Sequence, residues 1–147
     1  MKQQAIIVDL DDTLVDISHR RHMFDKPRYS EKEIEAAMAF DRINEWCLEI
    51  CRFFSDNNYK IIFLTGRYGR DATEKYLFQH VGPGVDYVLV MRDKNDHKQD
   101  TVTKLRLYHE QVAPFYDVIF CIDDRTSITE LWRDLGLVAL QCSDSIK

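Results

Sequence analysis

A chain of 147 residues that is 45% hydrophobic and 31% charged suits one domain with a proper buried core, and it excludes a disordered or low-complexity chain. Its net charge of −5 excludes a surface that draws nucleic acid everywhere, so any polyanion has to meet a local basic patch. No apolar run reaches membrane-spanning length, and Met1-Lys2-Gln3-Gln4 leads into a strand with no signal-peptide core, which predicts a cytoplasmic protein.

Ala5-Ile6-Ile7-Val8 is a β-branched run that predicts a buried strand, and it ends in Asp9, Asp11 and Asp12. Clustered carboxylates at such a place repel one another and lose hydration, so they require a compensating charge. A divalent cation would supply it, and Asp9 and Asp11, two apart on extended backbone, project to one side. Taken alone, the stretch also suits a solvated acidic turn. Residues 14–30 read as irregular and locally basic, with His19, Arg20, Arg21, His22, Lys26 and Arg28 against Asp16 and Asp25. That cluster predicts an anion site beside the acidic loop. Aromatic residues able to stack there are limited to Phe24 and Tyr29.

Ser30-x-x-Glu33 is a capping box that opens helical sequence to about Asp56, with a possible break near Asp41. Ile34, Ala37, Phe40, Ile43, Cys47, Ile50, Cys51 and Phe54 recur at helical spacing and predict one buried face, with Trp46 in the core. A second strand, 60–64, ends in Thr65-Gly66-Arg67, where a hydroxyl, a flexible backbone and a guanidinium arrive together. Asp71-x-x-Glu74 predicts the cap of a helix ending near Val81-Gly82-Pro83-Gly84. The third strand is 87–91. After a polar loop, Asp100 is the expected N-cap of a helix with Val102, Leu105, His109 and Val112 on one stripe, ending before Pro114. Lys104 follows Asp100 by one helical turn, a spacing that also suits an ordinary surface ion pair. The fourth strand, 118–122, runs into Asp123-Asp124. Ser127-x-x-Glu130 predicts the cap of a last helix that ends at Gly136, and 137–140 forms a closing strand. Cys47, Cys51, Cys121 and Cys142 form no Cys-x-x-Cys pair and lie in apolar stretches, which predicts reduced core thiols rather than a zinc site.

Alternating strands and helices predict an α/β doubly wound fold, a three-layer single domain over 1–147 with parallel strands. Every polar cluster falls at the C-terminal end of a strand or the helix start beside it, the edge where such sheets bind ligands. One site gathering Asp9, Asp11, Thr65, Arg67, Lys104, Asp123 and Asp124 is therefore expected. It lacks a nucleotide-cradling glycine loop and a serine–histidine or thiolate nucleophile. Carboxylates, a lysine, a hydroxyl and a divalent cation suit phosphoryl transfer through a carboxylate. Asp9 would attack phosphorus, Asp11 would protonate the leaving oxygen and then activate water, and Thr65 and Arg67 would hold the non-bridging oxygens.

In this order, Asp9-x-Asp11-x-Thr13, Thr65, Lys104 and Asp123-Asp124 resemble the four motifs of the haloacid dehalogenase (HAD) phosphatase superfamily. The resemblance implies a HAD-like five-stranded parallel sheet in order 3-2-1-4-5. It also implies Mg²⁺ held by the Asp9 carboxylate, the Asp11 carbonyl and Asp124, with Asp123 orienting Lys104 or a metal-bound water. A narrower resemblance lies in Thr65-Gly66-Arg67, Asp100-x-x-x-Lys104, Ala113-Pro-Phe-Tyr-Asp117, Ile122-Asp-Asp-Arg-Thr126 and Glu130-Leu-Trp-Arg133. These runs resemble the 3′-phosphatase domain of polynucleotide kinase/phosphatase, which also places an arginine eleven residues after the nucleophile, here Arg20. Residues 14–45 depart from that family in length and sequence. The segment 14–40 would then act as a minimal cap that leaves the site open to a nucleic-acid end, with Arg20, Arg21 and Arg28 toward the backbone phosphates. The family's kinase domain has no counterpart here, so a kinase or ligase would come from a separate partner. Two other readings stand beside this one: a nucleotidase acting on mononucleotides, and a non-catalytic regulatory module on the same fold.

Overall fold

The structure, a computed structural model, describes residues 1–24 and 29–145. Arg28, together with Asp25 and Lys26 of the basic patch, lies outside the described residues. The strands are β1 (Gln3–Val8), β2 (Val15–Asp16), β3 (Arg42–Ile43), β4 (Lys60–Thr65), β5 (Tyr87–Met91), β6 (Tyr116–Arg125) and β7 (Ala139–Ser145). The α-helices are α1 (Glu31–Met38), α2 (Glu45–Asp56), α3 (Arg70–His80), α4 (Asp100–Leu107) and α5 (Thr126–Asp134). A 3₁₀ turn spans Ser18–Met23, and α4 continues into a wider π turn at Tyr108–Val112.

The main sheet runs β5-β4-β1-β6-β7 with parallel pairings throughout. Counting its strands in chain order gives 3-2-1-4-5, the arrangement implied by the sequence motifs. Successive side chains on β1 and β4 point to opposite faces, and those of residues 5–8 and 61–64 are all apolar because both faces are covered. Ile6, Val8, Ile61 and Phe63 pack with Cys47, Leu48 and Cys51 of α2 and with Tyr76 and Leu77 of α3. Ala5, Ile7, Ile62 and Leu64 pack on the other side with Leu107 of α4 and with Ile128 and Trp132 of α5. A fully buried Ile or Leu in such layers contributes about 2 kcal/mol. The strand ends carrying polar residues are thus fixed by two cores, one on each side of the sheet.

Several local expectations are corrected. The stretch from Ser30 to Asp56 is two helices, because the chain leaves α1 after Met38 and pairs β3 with β2 in a small antiparallel hairpin. The capping box at Ser30 and Glu33 is present. Helical periodicity does not extend through the break, so Phe40 is 76% exposed. Trp46 is 46% exposed, since the buried stripe of α2 is Cys47, Leu48 and Cys51 and position 46 falls off it. Val102 faces out because α4 turns Thr103, Lys104 and Leu107 inward.

Three predicted caps lie one or two residues inside their helices. Gly69, with φ of +86°, Gln99 and Arg125 occupy the capping positions instead of Asp71, Asp100 and Ser127. Asp100 is drawn from a capping role by two arginines described below. The last strand runs to Ser145, beyond the expected 137–140. Cys47, Cys51 and Cys121 are buried free thiols, and Cys142 is a half-buried one. Among the described residues no helix is long and apolar enough to cross a membrane.

Candidate active site

β1 delivers Asp9 to the centre of the sheet edge. The chain then folds back tightly: Val15 donates its N–H to Leu10 at 3.0 Å, and Asp12 donates to Val15 at 2.8 Å. This turn puts Asp12 at φ of +62°, a left-handed conformation that Asp tolerates better than most residues. Beside β1, the end of β6 brings Asp123 and Asp124, both buried. Asp9, Asp123 and Asp124 each offer a carboxylate oxygen within 4.8 Å of the others. From α4, the buried Lys104 Nζ donates to Asp9 Oδ1 at 2.9 Å and to Asp123 Oδ2 at 3.1 Å.

One ammonium does not balance three carboxylates. Burial and the neighbouring Asp123 push the Asp9 carboxyl well above the usual carboxylate range, with Lys104 only partly opposing them. Burial alone would lower Lys104, but Asp123 and Asp9 outweigh it and raise its pKa above the ordinary lysine value, keeping it charged. Such a buried oxygen cluster with excess negative charge has the donor chemistry of a hard divalent cation. The residues fit Mg²⁺.

Asp11 points toward a different set of partners. Its carboxylate accepts from Arg67 Nη2 in a very short contact and from Arg20 Nη2 at 3.0 Å. Burial would raise this carboxyl; the two guanidiniums, Arg67 foremost, hold it below its ordinary value. Behind them lies Asp41, 5% exposed, which accepts from Arg20 Nε at 2.7 Å, Arg20 Nη2 at 2.8 Å and Arg67 Nη2 at 3.3 Å. His19 Nε2 hydrogen-bonds the same carboxylate at 2.8 Å, and the Tyr76 hydroxyl donates to the Asp41 carbonyl at 2.6 Å. Asp41 sits where α1 gives way to β3, and it holds both arginines at the cleft. Arg20 is therefore a buried, paired residue with its guanidinium at the cleft wall. Arg21 turns to Asp12 in a bidentate pair at 2.7 and 2.8 Å and does not line the cleft. Arg67 Nε is buried and has no acceptor among the described residues, a geometry suited to an incoming oxygen.

At the end of β4, the Thr65 hydroxyl accepts from the Arg67 N–H at 3.1 Å. Gly66 is required by close approach, since a Cβ there would lie 2.0 Å from Asp100 Oδ1. Asp100 in turn bridges Arg92 Nη2 at 2.9 Å and Arg125 Nη1 at 2.8 Å. Arg92, 7% exposed, also donates to the carbonyls of Gly66 and Lys98 at 2.6 Å. The loop after β5 is thereby locked to the turn after β4.

These elements enclose a cleft of about 370 Å³. Its lining includes Asp9, Asp11, Arg20, Thr65, Gly66, Arg67, Asp100 and Asp124. Lys104, Asp123 and Thr13 lie behind that surface. Ile17, Phe24, Ile34 and Met38 form an apolar wall, with Glu31 and Glu35 beside them, and Tyr68 and His97 also line the cleft. Tyr29 does not, and its ring packs against His22. Asp41, Arg92, Arg125, Tyr68 and His97 were not picked out as site residues by sequence. For Arg125 the signal was its place directly after the Asp123-Asp124 pair. Arg92 looked like one more charge in a polar loop.

The sequence model of the family described as "Polynucleotide kinase PNKP phosphatase domain" matches residues 3–145. The chain belongs to this family. As a PNKP-type phosphatase domain it is a hydrolase of the HAD superfamily. A protein of Autographa californica nuclear polyhedrosis virus, named as a bifunctional polynucleotide kinase/RNA ligase, is 31% identical over 83 residues; the match covers 52% of this chain and 11% of the viral protein. A chain in a solved Pnkp1/Rnl/Hen1 complex is 30% identical with a TM-score of 0.80, covering 97% of this chain and 46% of that one. A HAD family enzyme of Bacteroides thetaiotaomicron, solved as a magnesium complex, shares the fold at 14% identity and a TM-score of 0.55, over 96% and 93% of the two chains. This chain spans less than half the length of the first two relatives.

Proposed function

We propose that this phosphatase domain removes 3′-phosphates from nucleic-acid ends with Mg²⁺ and an aspartyl-phosphate intermediate. The observation that carries the reading is the convergence of Asp9, Lys104, Asp123 and Asp124 at one strand edge, beside the Thr65–Arg67 turn. Mg²⁺ would be held by the Asp9 carboxylate, the Asp11 carbonyl and Asp124, and when bound it offsets the negative charge that otherwise raises the Asp9 pKa.

In this reading an Asp9 carboxylate oxygen attacks phosphorus, forming the acyl-phosphate bond as the bond to the 3′-oxygen breaks. Lys104, fixed by Asp123, offsets the repulsion between the two anions. Thr65, the Gly66 backbone and Arg67 receive the non-bridging oxygens, and the unpartnered Arg67 Nε supplies one donor. Asp11 gives its proton to the leaving oxygen and later takes one from the water that hydrolyses the intermediate. In the free protein Arg20 and Arg67 hold Asp11 ionised. Phosphoryl oxygens compete for the same guanidiniums, so substrate entry loosens that grip and favours the protonated acid. Residues 14–40 would serve as the small cap, with Arg20 at the cleft wall toward the substrate and Arg21 bracing Asp12 outside it. A ligase would then join the freed 3′-hydroxyl, and a kinase would phosphorylate the opposing 5′ end.

The relatives' names support a nucleic-acid end as substrate. The small cleft with its apolar wall also favours a second reading, hydrolysis of mononucleotides. Phosphate release with Mg²⁺ from a 3′-phosphorylated oligonucleotide, beside its 5′-phosphorylated counterpart and 3′- and 5′-mononucleotides, separates the two. Preference for the 3′-phosphorylated oligomer, reduced at least about a thousandfold by Asp9→Asn, is the expected result. Equal or faster turnover of mononucleotides overturns the end-healing reading, and an active Asp9→Asn enzyme overturns the nucleophile.

A further inference from the structure

Tyr68 directly follows the Thr65–Arg67 turn and lines the same cleft as Asp9 and Asp124, yet the chemistry above gives it no task. The residue is 37% exposed. Exposed tyrosines on turns are normally loose, but this one is fastened. Its hydroxyl donates to the Asp96 carbonyl at 2.5 Å and lies 3.4 Å from His97 Nδ1. The Arg92 guanidinium sits 5.2 Å from the ring centroid. Arg92 is itself pinned by Gly66, Lys98, Thr103 and Asp100, so the ring is braced by a side chain that cannot swing away. The His97 ring extends this surface at 6.1 Å, tilted by 34°. The result is a fixed aromatic surface next to the phosphoryl site, with its ordering cost met before any ligand arrives.

Resting on the end-healing reading, we propose that Tyr68 is the specificity-determining platform on which the base of the terminal nucleoside stacks while its 3′-phosphate is held by Thr65 and Arg67. The cleft has room for roughly one nucleoside beyond the phosphate. A base presents a π face whatever its identity, so stacking would select for a nucleoside end without selecting its sequence.

The test compares two 3′-phosphorylated oligonucleotides that differ only in the last residue, one carrying a base and the other an abasic analogue. KM and kcat are measured for the wild type, Tyr68→Ala and Tyr68→Trp. For the wild type, KM should be about tenfold lower for the base-bearing end, with kcat similar for both. In Tyr68→Ala that ratio should fall to near one, and in Tyr68→Trp, which keeps a π face, it should persist. A general disturbance of the turn would instead lower kcat for both substrates alike and leave the ratio in place, and that result overturns the platform. A wild-type ratio near one overturns it as well, while leaving the end-healing reading intact. Release from neither oligonucleotide overturns both.

Discussion

At the scale of single residues, the site depends on charges that hold other charges. Asp41 is the clearest instance, because it touches no expected reactive atom and yet accepts three bonds from Arg20 and Arg67. Removing one partner from a buried ionic cluster leaves the rest uncompensated, which is more damaging than losing an exposed pair. Asp41→Ala should lower stability in urea by about 3 kcal/mol and weaken phosphate affinity as the two arginines collapse onto Asp11. A change below about 0.5 kcal/mol, the range of ordinary surface substitutions, would mean the cluster is solvated in solution. The residues proposed to react stood out in the sequence, since carboxylates at the ends of apolar strands are conspicuous. Asp41 gave no such signal. It follows an ordinary helical stretch, and its partners are 21 and 26 positions away.

Among elements, the loop between β5 and α4 shows how a polar stretch becomes rigid. Asp96 accepts the Lys98 N–H at 3.0 Å, the Thr103 hydroxyl at 2.8 Å and Arg106 Nη2 at 3.2 Å. The Lys98 N–H first, then Thr103, pull its carboxyl from 3.8 down to about 2. A carboxyl depressed by folding contributes its stability fully above the unfolded value, and loses it as pH falls through the folded one. Protection factors for amide exchange across residues 92–99, in which the intrinsic pH dependence is divided out, should therefore be high and even above about pH 4 and fall as pH approaches 2. In Asp96→Asn the loop should exchange faster at neutral pH, and the acid step should vanish. An acid step that survives the substitution would assign the effect to another carboxyl. Element type and order were legible from apolar runs and helical spacing. Less legible were the boundaries: the caps at Asp71, Asp100 and Ser127 were displaced because loop geometry and tertiary ion pairs override the local capping pattern.

For the molecule as a whole, the parallel doubly wound architecture was readable from the alternation of strands and helices, while the strand order came only with the motifs' resemblance to the HAD superfamily. The wall built by Ile34, Met38 and Phe24 was not readable, since Ile34 looks like part of a stripe that runs past Asp41, Met38 falls off that stripe, and Phe24 lies in the irregular basic segment before it. The carboxylate cluster makes a global prediction about stability. A cation that binds only the folded chain stabilises it by mass action, and at one hundred times its Kd the shift is about 2.7 kcal/mol. Mg²⁺ should thus raise Tm by about 5 °C or more at such a concentration, in the absence of any substrate. EDTA should reverse the increment, and Asp124→Asn should abolish it. Equal Tm values with Mg²⁺ and with EDTA would remove the cation from the site.

The central position of β1 has a consequence for how the protein comes into being. Ile6, Ile7 and Val8 find one set of neighbours at residues 61–63 and the other at residues 120–122. On the ribosome, Asp9 emerges well before Lys104, Asp123 and Asp124, and it meets all three only after the end of β6 has been made. Until then the nascent segment carries a carboxylate with ordinary chemistry and no neighbours to activate it. The proposed nucleophile is made long before the groups that would arm it.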